Sequence, residues 1–375
     1  MKPYAFVSAI ALAALLSSCG GGSAGKEIKI GGIGPVTGEA ATYGVSTKQG
    51  MELAFEEWNA KGGVLGKQVK LVFADDKGDP AEGATVYTKL IQQDKVVAIV
   101  GTVMSKVTLA GAPIAQAAKI PMITPTSTNE KVTQTGDFIY RACYIDSFEG
   151  NVGAKFAFDD LKAKSAGIIF DVGNDYSKGL AENFKNTFEG FGGKIAANEG
   201  HPSGATDFKA QLTKIVQAKP DVLYVPDYYN DVALIAKQAR ELGYKGPMVG
   251  GDGWDSPELV KIGGAAVENG FFTNHYSAAD SRPVVQDFVK KFTAKNGAAP
   301  DALATLAYDA VYIMLDAIKR AGKTDGAAIR DALAATDLGV VSGQVKFDAN
   351  RNPVKSAVII EIKGGAQVYK TTVNP

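Results

Sequence analysis

Two histidines, His201 and His275, and two cysteines, Cys19 and Cys143, are the chain's whole supply of the residues that most often bind zinc or pair as base and nucleophile. They are too few for a Cys-rich zinc site or a multi-histidine cage, so no metal centre is expected. Gly31-Gly32-Ile33-Gly34-Pro35-Val36-Thr37-Gly38 invites comparison with the dinucleotide fingerprint G-x-G-x-x-G. Gly32 and Gly34 fit its first two positions, but Thr37 stands at the third and the pattern fails. Gly66-Lys67 runs into Gln68 where a phosphate loop places Ser or Thr, so no nucleotide cofactor is expected either. Asp75, Asp76 and Asp79 lack the glycine and glutamate placement of a calcium loop and read as a solvated strand end. No G-x-S-x-G or H-E-x-x-H stretch occurs, and neither histidine nor lysine is placed to activate Ser105, which argues against an enzyme. Cys143, in the apolar stretch from Phe138 to Ile145, reads as a buried structural thiol. Ser127-x-x-Glu130 is more suggestive: it looks like a capping box, and a helix starting there would offer free N–H groups and a positive dipole end to an anion.

Short apolar runs alternating with longer amphipathic ones set the elements that must position these groups, and they indicate an α/β protein with parallel sheets crossed over by helices. Strands are expected at Ile28–Ile33, Val69–Phe73, Val96–Val100, Pro121–Thr124 and Phe138–Ala142, with helices near Gly44–Ala60, Ala81–Gln93 and Leu109–Ala118. Met51, Ala54, Phe55 and Trp58 recur at helical spacing as a core-facing stripe, and Gly62-Gly63 stops that helix. A second unit follows, with strands at Gly167–Asp171, Lys194–Ala197, Val222–Val225, Pro247–Gly250 and Gly270–Thr273. The tail carries long helical patterns at Pro283–Asn296 and Ala302–Ala321 and strand-like runs at Val345–Phe347 and Val358–Ile362. No Pro/Ser-rich linker separates the halves, so two lobes joined by several chain crossings, and hence a hinge, are expected.

Forty Lys and Arg balance forty Asp and Glu in the 375 residues, leaving no positive excess to neutralise nucleic-acid phosphates. The N-terminus is a targeting segment by pattern. Lys2 precedes an apolar run from Ala5 to Leu16, too short to span a bilayer and suited to a signal core. Leu16-Ser17-Ser18-Cys19 resembles the bacterial lipobox, so residues 1–18 are expected to be cleaved and Cys19 lipidated, with residues 19–26 as a Gly-rich tether.

Gly34-Pro-Val-Thr-Gly38, Tyr43-Gly44, Asn59-Ala-Lys-Gly-Gly63, Asp75-Asp76 through Asp79-Pro80, Met122-Ile-Thr-Pro125 and Asp175-Tyr176, in that order, resemble the periplasmic branched-chain amino-acid-binding proteins of ABC importers. The resemblance covers essentially the whole mature chain. It implies two doubly wound Rossmann-like lobes with a multi-strand hinge, the type I periplasmic binding protein or Venus-flytrap arrangement. Lobe one would be 27–143 with 276–350, and lobe two 144–275 with 351–375. By the same resemblance Ser105 and Thr128 would hold a ligand's α-carboxylate, the Thr126 backbone and Asp252 its ammonium, and Tyr43, Tyr176 and Tyr228 its aromatic walls. Tyr229 and Trp254 are neighbours that could join them. Asp252 stands where relatives commonly have glutamate, one methylene longer. Gly78 and Met104 stand where many relatives have a disulfide. The implied protein is a monomeric, lipid-anchored receptor outside the cytoplasmic membrane that hands a hydrophobic amino acid to a permease. The same fold also serves receptors for amides, urea or aromatic compounds, and sensory binding proteins.

Overall fold

The structure, a computed structural model, describes residues 27–374. The expected signal segment, Cys19 and the tether lie outside the described residues. The first sheet is parallel throughout, in the order β2 (Val69–Asp75), β1 (Ile28–Gly34), β3 (Ala98–Val100), β4 (Met122–Thr124), β5 (Ile139–Arg141). Its crossover helices are α1 (Ala41–Ala60), α2 (Pro80–Lys89), α3 (Ser105–Ala117) and the short α4 (Lys131–Gln134). The second lobe repeats that winding with β6 (Ser165–Asp171), β7 (Lys194–His201), β8 (Val222–Tyr224), β9 (Met248–Gly250) and β10 (Gly270–Asn274), ordered β7-β6-β8-β9-β10. Helices α5 (Asp146–Lys155), α6 (Asp175–Gly190), α7 (Lys209–Ala218), α8 (Tyr229–Glu241) and α9 (Pro257–Gly263) surround it. The tail supplies α10 (Pro283–Asn296), α11 (Ala302–Ala321) and α12 (Gly326–Ala334), then a small hairpin of β11 (Asp337–Val340) and β12 (Gly343–Lys346). It ends in β13 (Ala357–Lys363) and β14 (Ala366–Val373), antiparallel strands added beside β10.

The strands are short and apolar because both faces of each sheet are covered, as in β3 and β4, where every residue is buried. Helix α11 is buried along most of its length because it packs on α1 and under β3 and β4 at once. The contact with α1 is close: a Cβ on Gly50 would lie 2.0 Å from the Ala304 carbonyl oxygen. So the tail returns to complete the first lobe before β13 and β14 complete the second. The chain passes between lobes at 142–145, 275–282 and 347–356.

Several local expectations change. Strands β14 and β11 escape the apolar pattern, β14 because its residues are mostly exposed, whereas β12 overlaps the run expected at Val345–Phe347. Helix α3 begins at Ser105, four residues before the apolar periodicity suggests. The acids after β2 are not a solvated strand end. Asp76 is fully buried, accepting from Gly78 N at 2.9 Å and from the Thr102 hydroxyl, while Asp79 caps α2 through Ala81 N and Glu82 N. The Gly78 and Met104 positions do adjoin, since a Cβ on Gly78 would meet Met104 Sδ at 3.1 Å; a thioether fills the place of a staple.

Candidate functional site

In both sheets the strand order reverses between the first and third strands, the crevice where open α/β sheets take up small molecules. The loops after the strand ends of the two lobes close over a small cavity between them. Tyr43, Val103, Met104, Ser105, Thr126, Ala302 and Leu303 line it from the first lobe. Tyr176, Tyr228, Asp252, Gly253, Asn274 and His275 line it from the second.

On the first-lobe wall Ser105 opens α3, whose N-cap, Met104, has no side chain able to cap. The first N–H groups of the helix therefore lack intrahelical partners, and its positive dipole end meets the cavity. Ser105 Oγ accepts from Asn129 N at 3.3 Å, and Thr126 Oγ1 donates to Val103 O at 3.0 Å. The capping box at Ser127 does not form. Ser127 Oγ is held by Thr108 Oγ1 at 2.6 Å and by the carbonyls of Thr102 and Val103, while Glu130 accepts from Ser147 N at 2.7 Å. The buried Arg141 guanidinium donates to the carbonyls of Ser127 and Asn129, which keeps this segment a loop and delays α4 to Lys131. The anion-binding helix end expected at residue 127 is thus supplied by α3. Thr128 is fully buried behind the wall and not part of it; its carbonyl accepts from Asp146 N at 3.0 Å.

On the second-lobe wall Asp252 opens a single 3-10 turn after β9. Its N–H donates to Glu149 Oε1 at 2.6 Å, and its Oδ2 accepts from His275 Nε2 at 2.8 Å. Glu149 Oε1 also accepts from Thr273 Oγ1 at 2.6 Å, whereas Glu149 Oε2 and Asp146 Oδ1 have no partner. Burial pushes the carboxyls of Asp146 and Glu149 well above the usual carboxylate range, with charge from Glu130 and Asp252 respectively adding to it. The aromatic lining is ordered by stacking. Tyr176 and Tyr228 lie parallel with centroids 5.1 Å apart, and Tyr43 meets Tyr228 edge-on at 5.9 Å. Tyr176 Oη accepts from Gly253 N at 2.9 Å, and Tyr43 donates across the cleft to the Gly253 carbonyl.

Trp254 and Tyr229 do not line the cavity, although Tyr229 meets Tyr43 edge-on with centroids 5.0 Å apart. Trp254 is fully buried in the core under α8, its indole N–H donating to Val225 O at 2.9 Å. Tyr229 donates to Glu39 O at 2.6 Å and bridges the lobes. Sequence reasoning missed Glu149, His275, Leu303 and Met104. His275 directly follows the apolar run of β10, a strand end like those before Asp252 and Tyr228, and that position was the available signal. Leu303 had none, because only the returning tail brings it to the cavity. Chemically, one wall ends in helix N–H groups and the other in the Asp252 carboxyl, with rings and aliphatic side chains between. That suits a small ligand, apolar in the middle, with opposite charges to satisfy.

Residues 27–366 match the sequence model of the family described as periplasmic binding protein. The chain belongs to that family. This periplasmic binding protein is 35% identical, over 82% of its length and 83% of the relative's, to the Leu/Ile/Val-binding protein BraC3 of Rhizobium johnstonii. Its fold matches the crystal structure of a leucine binding protein from Thermotoga maritima at 41% identity and a TM-score of 0.90, covering 93% of this chain and 99% of the other. It also matches the branched-chain amino acid transporter substrate binding protein LivJ of Streptococcus pneumoniae in complex with isoleucine, at 36% identity and a TM-score of 0.88, covering 93% and 100%. The two-lobed fold is therefore that of the type I periplasmic binding proteins, and membership implies an extracytoplasmic location.

Proposed function

We propose that this periplasmic binding protein is a monomeric, lipid-anchored receptor of an ABC importer, closing its lobes on a free hydrophobic amino acid, with leucine, isoleucine and valine the preferred ligands. The observation that carries the reading is the pairing of Asp252, backed by Glu149, with the N-terminal turn of α3 at Ser105 on the two sides of one cavity. A buried ammonium is unfavourable unless an anion and hydrogen bonds meet it, and Asp252 with the Thr126 backbone would supply them. Ser105 and the free N–H groups of α3 would hold the carboxylate, with Thr128 shaping the loop from behind. Tyr43, Tyr176, Tyr228, Leu303 and Met104 would enclose the side chain and exclude water. No bond of the ligand changes; contact with both lobes favours the closed form, which the permease would recognise.

Calorimetric titration of the mature protein with leucine, isoleucine, valine, phenylalanine, acetamide and benzoate tests the reading. Heat from an aliphatic amino acid supports it, and heat from acetamide or benzoate alone overturns it. The anchor is tested separately: labelled fatty acid should enter the wild-type chain in its host and not the Cys19→Ser variant.

A further inference from the structure

Among the described residues, His275 is the one titratable side chain that lines both the ligand cavity and the separate groove along the hinge. Its ring is buried, with Nε2 2.8 Å from Asp252 Oδ2 and Nδ1 without any hydrogen-bond partner. A carboxylate ready to meet an ammonium only accepts, and opposite such an Asp252 the matching tautomer has its proton on Nε2 and its lone pair on Nδ1. The ring also stacks on Tyr144, centroids 3.7 Å apart and planes 29° apart. Tyr144 belongs to the first passage between lobes and His275 opens the second. Asp252 is a short side chain, and without a donor on its flank its carboxylate could rotate away from the cavity toward solvent at the cleft.

We propose that His275 is a positioning residue for ligand capture, holding the Asp252 carboxylate toward the ligand's ammonium group through Nε2–H and tying it to the hinge through the Tyr144 stack. The proposal rests on the amino-acid reading above. It also gives capture a proton linkage. Burial lowers the imidazole's pKa, Lys355 lowers it further and Asp252 opposes both. Other charged or titratable groups around it are Tyr144 stacked on the ring, Glu149 behind Asp252, and Tyr276, Asp280, Arg282 and Tyr369 along the groove. A proton gained at Nδ1 would place a cation beside Asp252 and compete with the ammonium. Binding is therefore strongest with His275 neutral, and under acid conditions it expels a proton.

The test uses leucine as probe, with calorimetry on the wild type, His275→Gln and His275→Phe between about pH 5 and 8, the window in which imidazole titrates. Gln keeps an N–H near the position of Nε2; Phe keeps only the ring. His275→Gln should stay within about threefold of wild type at pH 8, and His275→Phe should lose about ten- to a hundredfold, the effect of a lost hydrogen bond to a charged group. Wild-type affinity should fall as pH drops through the imidazole's titration, and that acid limb should move to lower pH in His275→Gln. Equal losses in both variants would make the residue a packing element, and an unmoved acid limb would remove the imidazole from the linkage; either overturns the proposal. If His275→Phe fails to fold, the pH comparison with His275→Gln decides alone. A wild type that binds no leucine, isoleucine or valine sinks the amino-acid reading and this proposal together, whereas wild-type binding with unaffected variants sinks only this one.

Discussion

Asp252 shares its surroundings with two further carboxyls, Asp146 and Glu149, and its charge adds to the burial that holds both above the usual carboxylate range. Such a cluster is unfavourable in the free protein and is relieved by a bound cation, the arrangement expected where function is placed ahead of stability. Asp252→Asn removes the charge and keeps the shape. Leucine binding should weaken by about 2 to 5 kcal/mol, the loss typical of a buried hydrogen-bonded charge pair. The melting temperature of the unliganded protein should stay level or rise, because the charge that opposes ionisation of Asp146 and Glu149 is gone. Scanning calorimetry with and without leucine checks both halves. A variant that melts well below wild type without ligand would make Asp252 a structural residue.

At the scale of elements, the approach of α1 to α11 positions Leu303 and Ala302, since both stand at the cavity end of α11. Gly50→Ala would force the Ala304 carbonyl away and should destabilise the fold by about 1 to 3 kcal/mol, the usual range for overpacking, as read by urea unfolding. The ends of β6, β7 and β8 are joined by a buried network in which His201 Nε2 lies 3.1 Å from Asp227 Oδ2, and Ser177 Oγ donates to Asp227 Oδ1 at 2.6 Å. Burial alone would lower the imidazole, but Asp227 outweighs it and holds the group at about 9, above its ordinary 6.5. A folded pKa above the unfolded one contributes stability that is complete below about 6.5 and lost as pH rises through about 9. Wild-type stability should therefore fall across that window, and the slope should be smaller in His201→Gln; equal slopes would refute the pairing.

For the whole molecule, closure is held by contacts remote from the ligand. Tyr229 Oη and the Asn230 side chain donate to the Glu39 carbonyl, and Asn129 Nδ2 donates to Asp175 O at 2.9 Å. Each adds to the closed state only, so each contributes to apparent affinity without touching the ligand. Tyr229→Phe deletes one such bond and should weaken leucine binding about fivefold, the effect of about 1 kcal/mol. Small-angle scattering should show the leucine-saturated variant contracting as wild type does. Unchanged affinity would mean that this bond persists in the open form.

The alternation of apolar runs fixed the class, because strands buried on both faces read as short continuous stretches; α10 and α11 fall where their periodicity places them. Loop positions after strand ends were also readable, and Tyr43, Ser105, Thr126, Tyr176, Tyr228 and Asp252 all line the cavity. What local pattern could not supply was competition. Ser127 has the spacing of a cap, yet the carbonyls of Thr102 and Val103 and the Arg141 guanidinium claim that segment from outside it. Trp254 has the composition of a cleft ring, yet Val225 O takes its N–H into the core. Leu303, Glu149 and His275 reach the site through the returning tail, a neighbouring helix and the end of β10. Only the tertiary structure decides such neighbours, because these contacts join residues from 14 to 103 apart on different elements, and no short-range period records how the chain brings those elements together.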